Sequence, residues 1–254
     1  MRSLSAADFD NSTPILVLRR SPGPFQHCAL NVARSAGRLG IPVLAVRDGA
    51  QEPSMRSRFV VGTLALSPDA PEADWIETLV AMRPRLGRAL LLPIDDSAAV
   101  LVGDHQTRLA EHFLLPDAPP GIHRRLASKV QLQRIAGELG IPTPASTVPA
   151  DRHEMLEQAE QRGYPVVLKR AEPWLASLHP GASSVVIAHD PAQLRAGFDQ
   201  IQSHPSSPML LQEYIPGGPN SVWMFNGYFG ASGACLSHFT GRKLRQRGPG
   251  TAQG

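Results

Sequence analysis

Only two cysteines, Cys28 and Cys235, occur in 254 residues. That is too few for a disulfide framework or a cysteine zinc site, and it suits small core thiols in a reducing compartment. No apolar run approaches the roughly 20 residues that span a bilayer, and the polar start MRSLSAADFDNS lacks the apolar centre of a secretory signal. A cytoplasmic chain with no membrane partner is therefore expected. Repeats of fixed period and low-complexity blocks are also missing, which sets aside solenoids and disordered tails. The net charge is only +3, much of which Arg242, Lys243, Arg245 and Arg247 could supply. Aromatic residues are not interleaved with that segment beyond Phe239, so nucleic acid is not an expected partner, although a basic tail binding RNA or DNA stands as a third reading.

What the chain does have is 24 prolines and 22 glycines, which punctuate many short elements with sharp turns. Its length suggests two or three subdomains. Strand patterns at ILVL, at Ile41 to Val46, at ALLLPI and at FLL alternate with helical patterns at HCALNVARSAGRLG, DWIETLVAMRPRL and VLVGDHQTRLAEHF. This β-α-β-α order predicts an α/β domain with an open parallel sheet over residues 1–120. Ligands collect at the carboxyl ends of such strands, which singles out Arg19 to Pro24 and the pair Asp95, Asp96. Asp96 or Ser97 is equally suited to cap the following helix.

After the DAPPG turn the pattern changes. One long helix, IHRRLASKVQLQRIAGELG, precedes strands at 164–169, 184–189 and 209–215, with helices at 151–162 and 191–203. An α+β unit with a mostly antiparallel sheet is expected.

In PVVLK, period-two alternation puts Val166 and Leu168 on one face and Val167 and Lys169 on the other. Lys169 therefore either snorkels into water or faces an anion. The loop HPGASS behind it offers Gly181 for close backbone approach and Ser183 and Ser184 as donors. Neither GxxxxGK[ST] nor GxGxxG occurs anywhere. In MLLQEYIPGG, a strand ending in Gln212, Glu213, Tyr214 and Ile215 stops at a Pro-Gly-Gly turn, where its backbone could meet the donor and acceptor edge of a planar base. Glu213 reads equally as an ion-pair partner of Lys169.

The ordered set of SK in a helix ending ELGIPTP, then YPVVLK, then a small-residue loop, then LLQEYIPG, resembles the ATP-grasp superfamily, in its carbamoyl-phosphate-synthase-like and carboxylate–amine ligase branch. That resemblance implies that 1–120 is a pre-ATP-grasp domain, that 121–208 is a helix linker and lid subdomain with 209–254 the start of a further subdomain, and that ATP is the cofactor. Lys129 and Lys169 would contact its phosphates, the loop with Gly181, Ser183 and Ser184 would cover them, and Gln212 to Ile215 would receive adenine, chiefly through the backbone of Glu213 and Ile215. Asn220 would approach the ribose, and Lys243 and Arg245 would serve the triphosphate or an acyl phosphate. Without the resemblance, Lys129 reads equally as a solvated helix residue, Asn220 as a turn residue, and the last segment as a basic surface.

The resemblance further implies an ATP-dependent ligase joining a small-molecule carboxylate to an amine or a thiol, with Mg²⁺ as a second cofactor and room for a homodimer. The 41 residues after Glu213, however, hold no Asp or Glu. Mg²⁺ is usually bound through one or two carboxylates besides phosphate oxygens. The carboxyl-terminal, metal-binding part is thus expected to be incomplete, the chain a fragment, and its metal ligands unidentified. A nucleotide-binding module without chemistry is the alternative reading.

Overall fold

The computed structural model describes residues 10–21, 27–47, 56–67, 69–116, 118–176, 185–202 and 208–244. They fall into two compact units, one running to Ala127 and the other starting at Ser128.

The first unit alternates β1 (Ile15–Leu18), α1 (His27–Arg38), β2 (Val43–Arg47), β3 (Val60–Ala65), α2 (Glu72–Leu86), β4 (Ala89–Pro93), α3 (Asp96–Asp104), α4 (Gln106–Ala110), β5 (Phe113–Leu114) and α5 (Ile122–Ala127). Its five strands are all parallel, in the order β3-β2-β1-β4-β5. Period-two alternation in β1 serves two cores at once. Leu16 and Leu18 pack with Trp75, Ile76, Leu79, Leu91 and Leu101, while Val17 packs with Ala29, Ala33, Ala36 and Val43. A sheet covered on both faces explains why ILVL is apolar throughout.

β3 was not anticipated. It is an edge strand whose residues alternate between half-buried and exposed, and with Gly62 inside VVGTLA its apolar signal is diluted. The helix expected over VLVGDHQTRLAEHF is in fact two, α3 and α4, broken at His105.

In the second unit the long helix expected from Ile122 onward is also broken, because Ser128 leaves helical geometry to cap α6 (Lys129–Glu138). There follow β6 (Ser146–Thr147), α7 (Arg152–Arg162), β7 (Val166–Arg170), α8 (Pro173–Ala176), β8 (Val185–Ala188), α9 (Pro191–Gln202), β9 (Met209–Glu213), a short 3-10 turn (Pro219–Ser221), β10 (Trp223–Phe229) and β11 (Cys235–Arg242). The sheet β6-β9-β7-β8 is antiparallel. Gly163, at φ 83°, closes α7 in a conformation that a side chain would disfavour, and β7 begins three residues later.

One face of this sheet carries the core. Val166, Leu168, Ala188 and Leu211 pack against Met155 and Ala159 of α7 and Leu194, Phe198 and Ile201 of α9. Burying each large apolar side chain there stabilises the unit by about 1.5–3 kcal/mol. β10 and β11 form a separate two-stranded hairpin on which Trp223, Phe225, Tyr228 and Phe239 are exposed. The α/β and α+β architecture read from the sequence is thus the architecture present.

Candidate functional site

The opposite face of the β6-β9-β7-β8 sheet is where the sequence pattern places Lys169. Because Val166 and Leu168 are drawn into the core, Val167 and Lys169 must face the other way. Register decides their company: Val167 lies opposite Gln212, Lys169 opposite Leu210, and Gln212 opposite Ser146. Three polar side chains therefore share one face, and they are linked in a chain. Lys169 Nζ donates to Gln212 Oε1 at 2.5 Å. Gln212 Nε2 donates to Ser146 Oγ at 2.9 Å, and the Ser146 hydroxyl donates to the Pro144 carbonyl at 3.0 Å.

Lys129 reaches the same cluster from α6. Its backbone N–H donates to the Ala171 carbonyl at 2.8 Å, tying the start of α6 to the residue just past β7. Burial holds the Lys169 ammonium below the ordinary lysine range, and the Lys129 charge lowers it further. Among the described residues neither lysine has an ion-pair partner. Two neighbouring cations, one half-buried and neither neutralised, make a place where an anion gains more than it would in water. The adjacent Arg170 shows the contrast within one strand. It is turned into the core, where its guanidinium donates to the Ile201 carbonyl.

At the end of β9, the Glu213 N–H donates to the Ala145 carbonyl at 2.8 Å. The Ala145 N–H donates to Glu213 Oε2 at 3.1 Å, so the carboxylate takes a donor that an unbroken ladder would give to the Glu213 backbone carbonyl. Glu213 lies opposite Val166, on the face away from Lys169, and the ion pair between them does not form. Tyr214 follows half-buried, and Ile215 is 58% exposed. Asn220 is exposed in the 3-10 turn before β10. Lys243 follows β11, with its N–H donating to the Val222 carbonyl at 2.9 Å. The structure thus unites Lys129, Lys169 and Gln212, and it leaves Asn220 and Lys243 at the base of the hairpin. Gly181, Ser183, Ser184 and Arg245 lie outside the described residues. Ser146 was missed from sequence, since a two-residue strand after IPTPA carries no periodicity.

In the first unit, the carboxyl ends of β1 and β4 meet at the point where strand order reverses. Asp95, not Asp96 or Ser97, caps α3 by accepting from Ala98 N at 2.8 Å. Its other oxygen accepts from Arg20 N at 3.0 Å and Ser21 N at 3.1 Å. That carboxylate is fully engaged by the backbone and serves the loop's shape. Arg20 is buried over the Trp75 ring, 5.6 Å from its centroid, with Nη1 at 3.3 Å from Glu72 Oε1. Among the described residues no three of His, Cys, Asp and Glu gather as a metal site, and no helix is long and apolar enough to cross a membrane.

No protein-family model matches the chain. In sequence it is similar to the D-aspartate ligase of Enterococcus faecium, at 28% identity over 151 residues, 55% of this chain and 34% of that protein. In fold it is similar to the L-amino acid ligase of Bacillus licheniformis (TM-score 0.66, 14% identity, 94% of this chain and 52% of that one). An ADP complex of N5-carboxyaminoimidazole ribonucleotide synthetase is similar too, with TM-score 0.64, 13% identity, and coverage of 90% and 53%. The chain spans about a third of the length of the first relative and about half that of the two solved structures.

Proposed function

We propose that this chain, which has the fold of the ATP-grasp superfamily, binds ATP through its second unit as part of an ATP-dependent ligase joining a small-molecule carboxylate to an amine. The observation that carries the reading is the pair Lys129 and Lys169, without an ion-pair partner among the described residues, at the face of the sheet opposite the core. A polyphosphate is the ligand that best matches two adjacent cations, here set beside the buried side chains of Val167 and Leu210. The D-aspartate ligase and L-amino acid ligase relatives support the carboxylate–amine class, and the ADP complex of a similar fold supports the nucleotide.

In this reading Lys129 and Lys169 hold the phosphates. Glu213, whose side chain takes the Ala145 N–H, presents its backbone carbonyl to the adenine amino group, and the Ile215 N–H faces the ring nitrogen. The adenine edge thereby meets a donor and an acceptor in the order that guanine would not match. ATP would supply the phosphoryl group that activates the carboxylate. The residues at hand do not fit Mg²⁺: the 41 positions after Glu213 carry no carboxylate, Glu213 itself is bonded to Ala145, and Asp95 is bonded to three backbone N–H groups. No step is derived through the metal. Nucleotide binding without chemistry is the second reading, which the same lysine pair supports.

Calorimetric titration of the purified chain tests the proposal. ADP and ATP are expected to bind, GDP more weakly than ADP, and Lys129→Ala and Lys169→Ala each to weaken ADP roughly ten- to a hundredfold in a folded protein. Equal affinity in wild type and both variants would remove the lysine pair from the site.

A further inference from the structure

We infer that one face of the β10–β11 hairpin is the contact through which two copies of this chain pair. The inference is independent of the nucleotide reading, because it rests on a part of the second unit that the pair Lys129 and Lys169 does not use.

β10 and β11 form a sheet of their own and do not extend the β6-β9-β7-β8 sheet. All of β10 is exposed, and so is β11 apart from Gly241. A two-stranded hairpin is marginal in water and gains stability when a further layer covers an apolar face. Alternation and register show which face that is. Trp223, Phe225, Gly227 and Phe229 lie on one side of β10, with Arg242, Thr240 and His238 across from the first three. The other side carries Met224, Asn226 and Tyr228, and there Asn226 and Ser237 interrupt the apolar surface. On the first side the rings are continuous. Phe225 and Phe229 close over Gly227, with ring atoms 2.8 and 2.7 Å from the place that a Cβ there would take. Phe225 also stacks on His238, centroids 6.1 Å apart, and the Arg242 guanidinium lies 5.7 Å from the Trp223 ring centroid. Two rings over the glycine leave a level aromatic surface, which suits another sheet better than a small ligand in need of a recess.

Size and charge select a second copy as the occupant. Trp223, Phe225 and Phe229 are 68%, 59% and 54% exposed. With roughly 150–250 Å² for a whole aromatic side chain, they offer on the order of 350 Å². Each side of the smallest stable interfaces buries roughly 600 Å², and exposed His238, Thr240 and Arg242 bring the face to about that size. Arg242 is the one permanent charge among these residues, at one end of the stripe. A nucleic-acid strand would need cations along the whole stripe. The same single charge fixes how two copies meet. Parallel overlay would bring the two guanidinium groups together, whereas a two-fold antiparallel overlay sets the Trp223 end of each copy against the Phe229 end of the other. The ends are six residues apart, roughly 20 Å at about 3.4 Å per residue. That separation exceeds the roughly 8 Å over which salt screens a charge.

The test is sedimentation of the full chain from low micromolar to near-millimolar concentration, with acrylamide quenching of tryptophan fluorescence over the same range. Wild type is expected to pass from monomer to a species of twice the mass and no further, because a two-fold contact closes on itself. Trp75 and Trp174 are buried and Trp223 is the exposed one of the three tryptophans, so quenching reports on the face and should fall severalfold as the dimer forms. Phe225→Asp, a charge at the centre of the face, is expected to weaken pairing roughly a hundredfold. Tyr228→Asp, on the opposite face, should pair within a few-fold of wild type. Urea unfolding at low micromolar concentration checks that both variants are folded, and quenching of the wild type decides the matter should Phe225→Asp fail to fold. A wild type that stays monomeric, or that pairs with Trp223 still fully quenched, would overturn the inference. So would Phe225→Asp pairing as tightly as wild type, or growth past the dimer. A monomer that instead captures a single-stranded oligonucleotide through Phe225 would assign the face to nucleic acid and overturn it as well.

Discussion

Two basic clusters sit at strand ends in this molecule, one in each unit, and they are answered differently. In the first, Arg20 lies buried over Trp75 with Glu72 beside it, and Asp95 gathers the Arg20 and Ser21 N–H groups. In the second, Lys169 donates to the Gln212 amide beside the Lys129 charge, and among the described residues neither lysine has an ion-pair partner. The first cluster is closed: its counter-charges and acceptors come from the protein itself, so its contribution is to the shape of the β1 and β4 loops. The second is open, and its missing counter-charge is what a ligand would bring. Exposure alone would not have separated them, since Asp95, Lys129 and Lys169 are all partly buried; the difference lies in what each cation touches.

Removing the closed cluster's organiser gives the largest expected effect. Asp95→Ala deprives three backbone N–H groups of their acceptor and should destabilise the first unit by about 2–4 kcal/mol, seen as a lower urea midpoint with unchanged ADP affinity. An unchanged midpoint would mean that the loop is held by other contacts. Arg20→Ala should follow at about 1–3 kcal/mol, from the lost ring contact and the packing of its stem. Its ADP affinity should stay within about twofold of wild type; a larger loss would erase the distinction between the two clusters.

Lys169→Met should act in the opposite direction on stability. The folded-state pKa of Lys169 is lowered, so between that value and 10.5 the unfolded chain binds more protons and stability rises with pH. The penalty for holding the charge is therefore fully present at neutral pH and fades as pH rises toward 10.5. Lys169→Met is expected to unfold at slightly higher urea than wild type at pH 7, with the gap closing by about pH 10.5. A gap that is absent at pH 7, or that widens with pH, would show that Lys169 is not strained by its surroundings. The smallest effect belongs to the hairpin. Phe225, 59% exposed, changed to Ser should shift stability by no more than about 0.5 kcal/mol in the monomer. Loss of several kcal/mol would mean that its ring is covered in solution.

Much of the layout follows from local pattern. The period-two run VVLK put Lys169 on the face opposite Leu168, and the apolar run of β1 announced a sheet covered on both sides. Where the pattern is weak, local sequence and structure part: β3 at the sheet edge carries a diluted apolar signal, and the helical patterns that run through His105 and Ser128 are each broken there. Those breaks depend on caps and packing that compete with helix propensity over only a residue or two.

The sequence by itself determined which residues could face a ligand, because side-chain direction in a strand is set by its own alternation. Only the tertiary structure decided which of them meet. Ser146 stands opposite Gln212, Lys129 comes close enough to lower the Lys169 pKa, and Glu213 is turned toward Ala145 through pairings between segments as much as 68 residues apart. Register is fixed by burying the opposite face of the sheet against α7 and α9, a long-range balance of packing that no local window of residues contains.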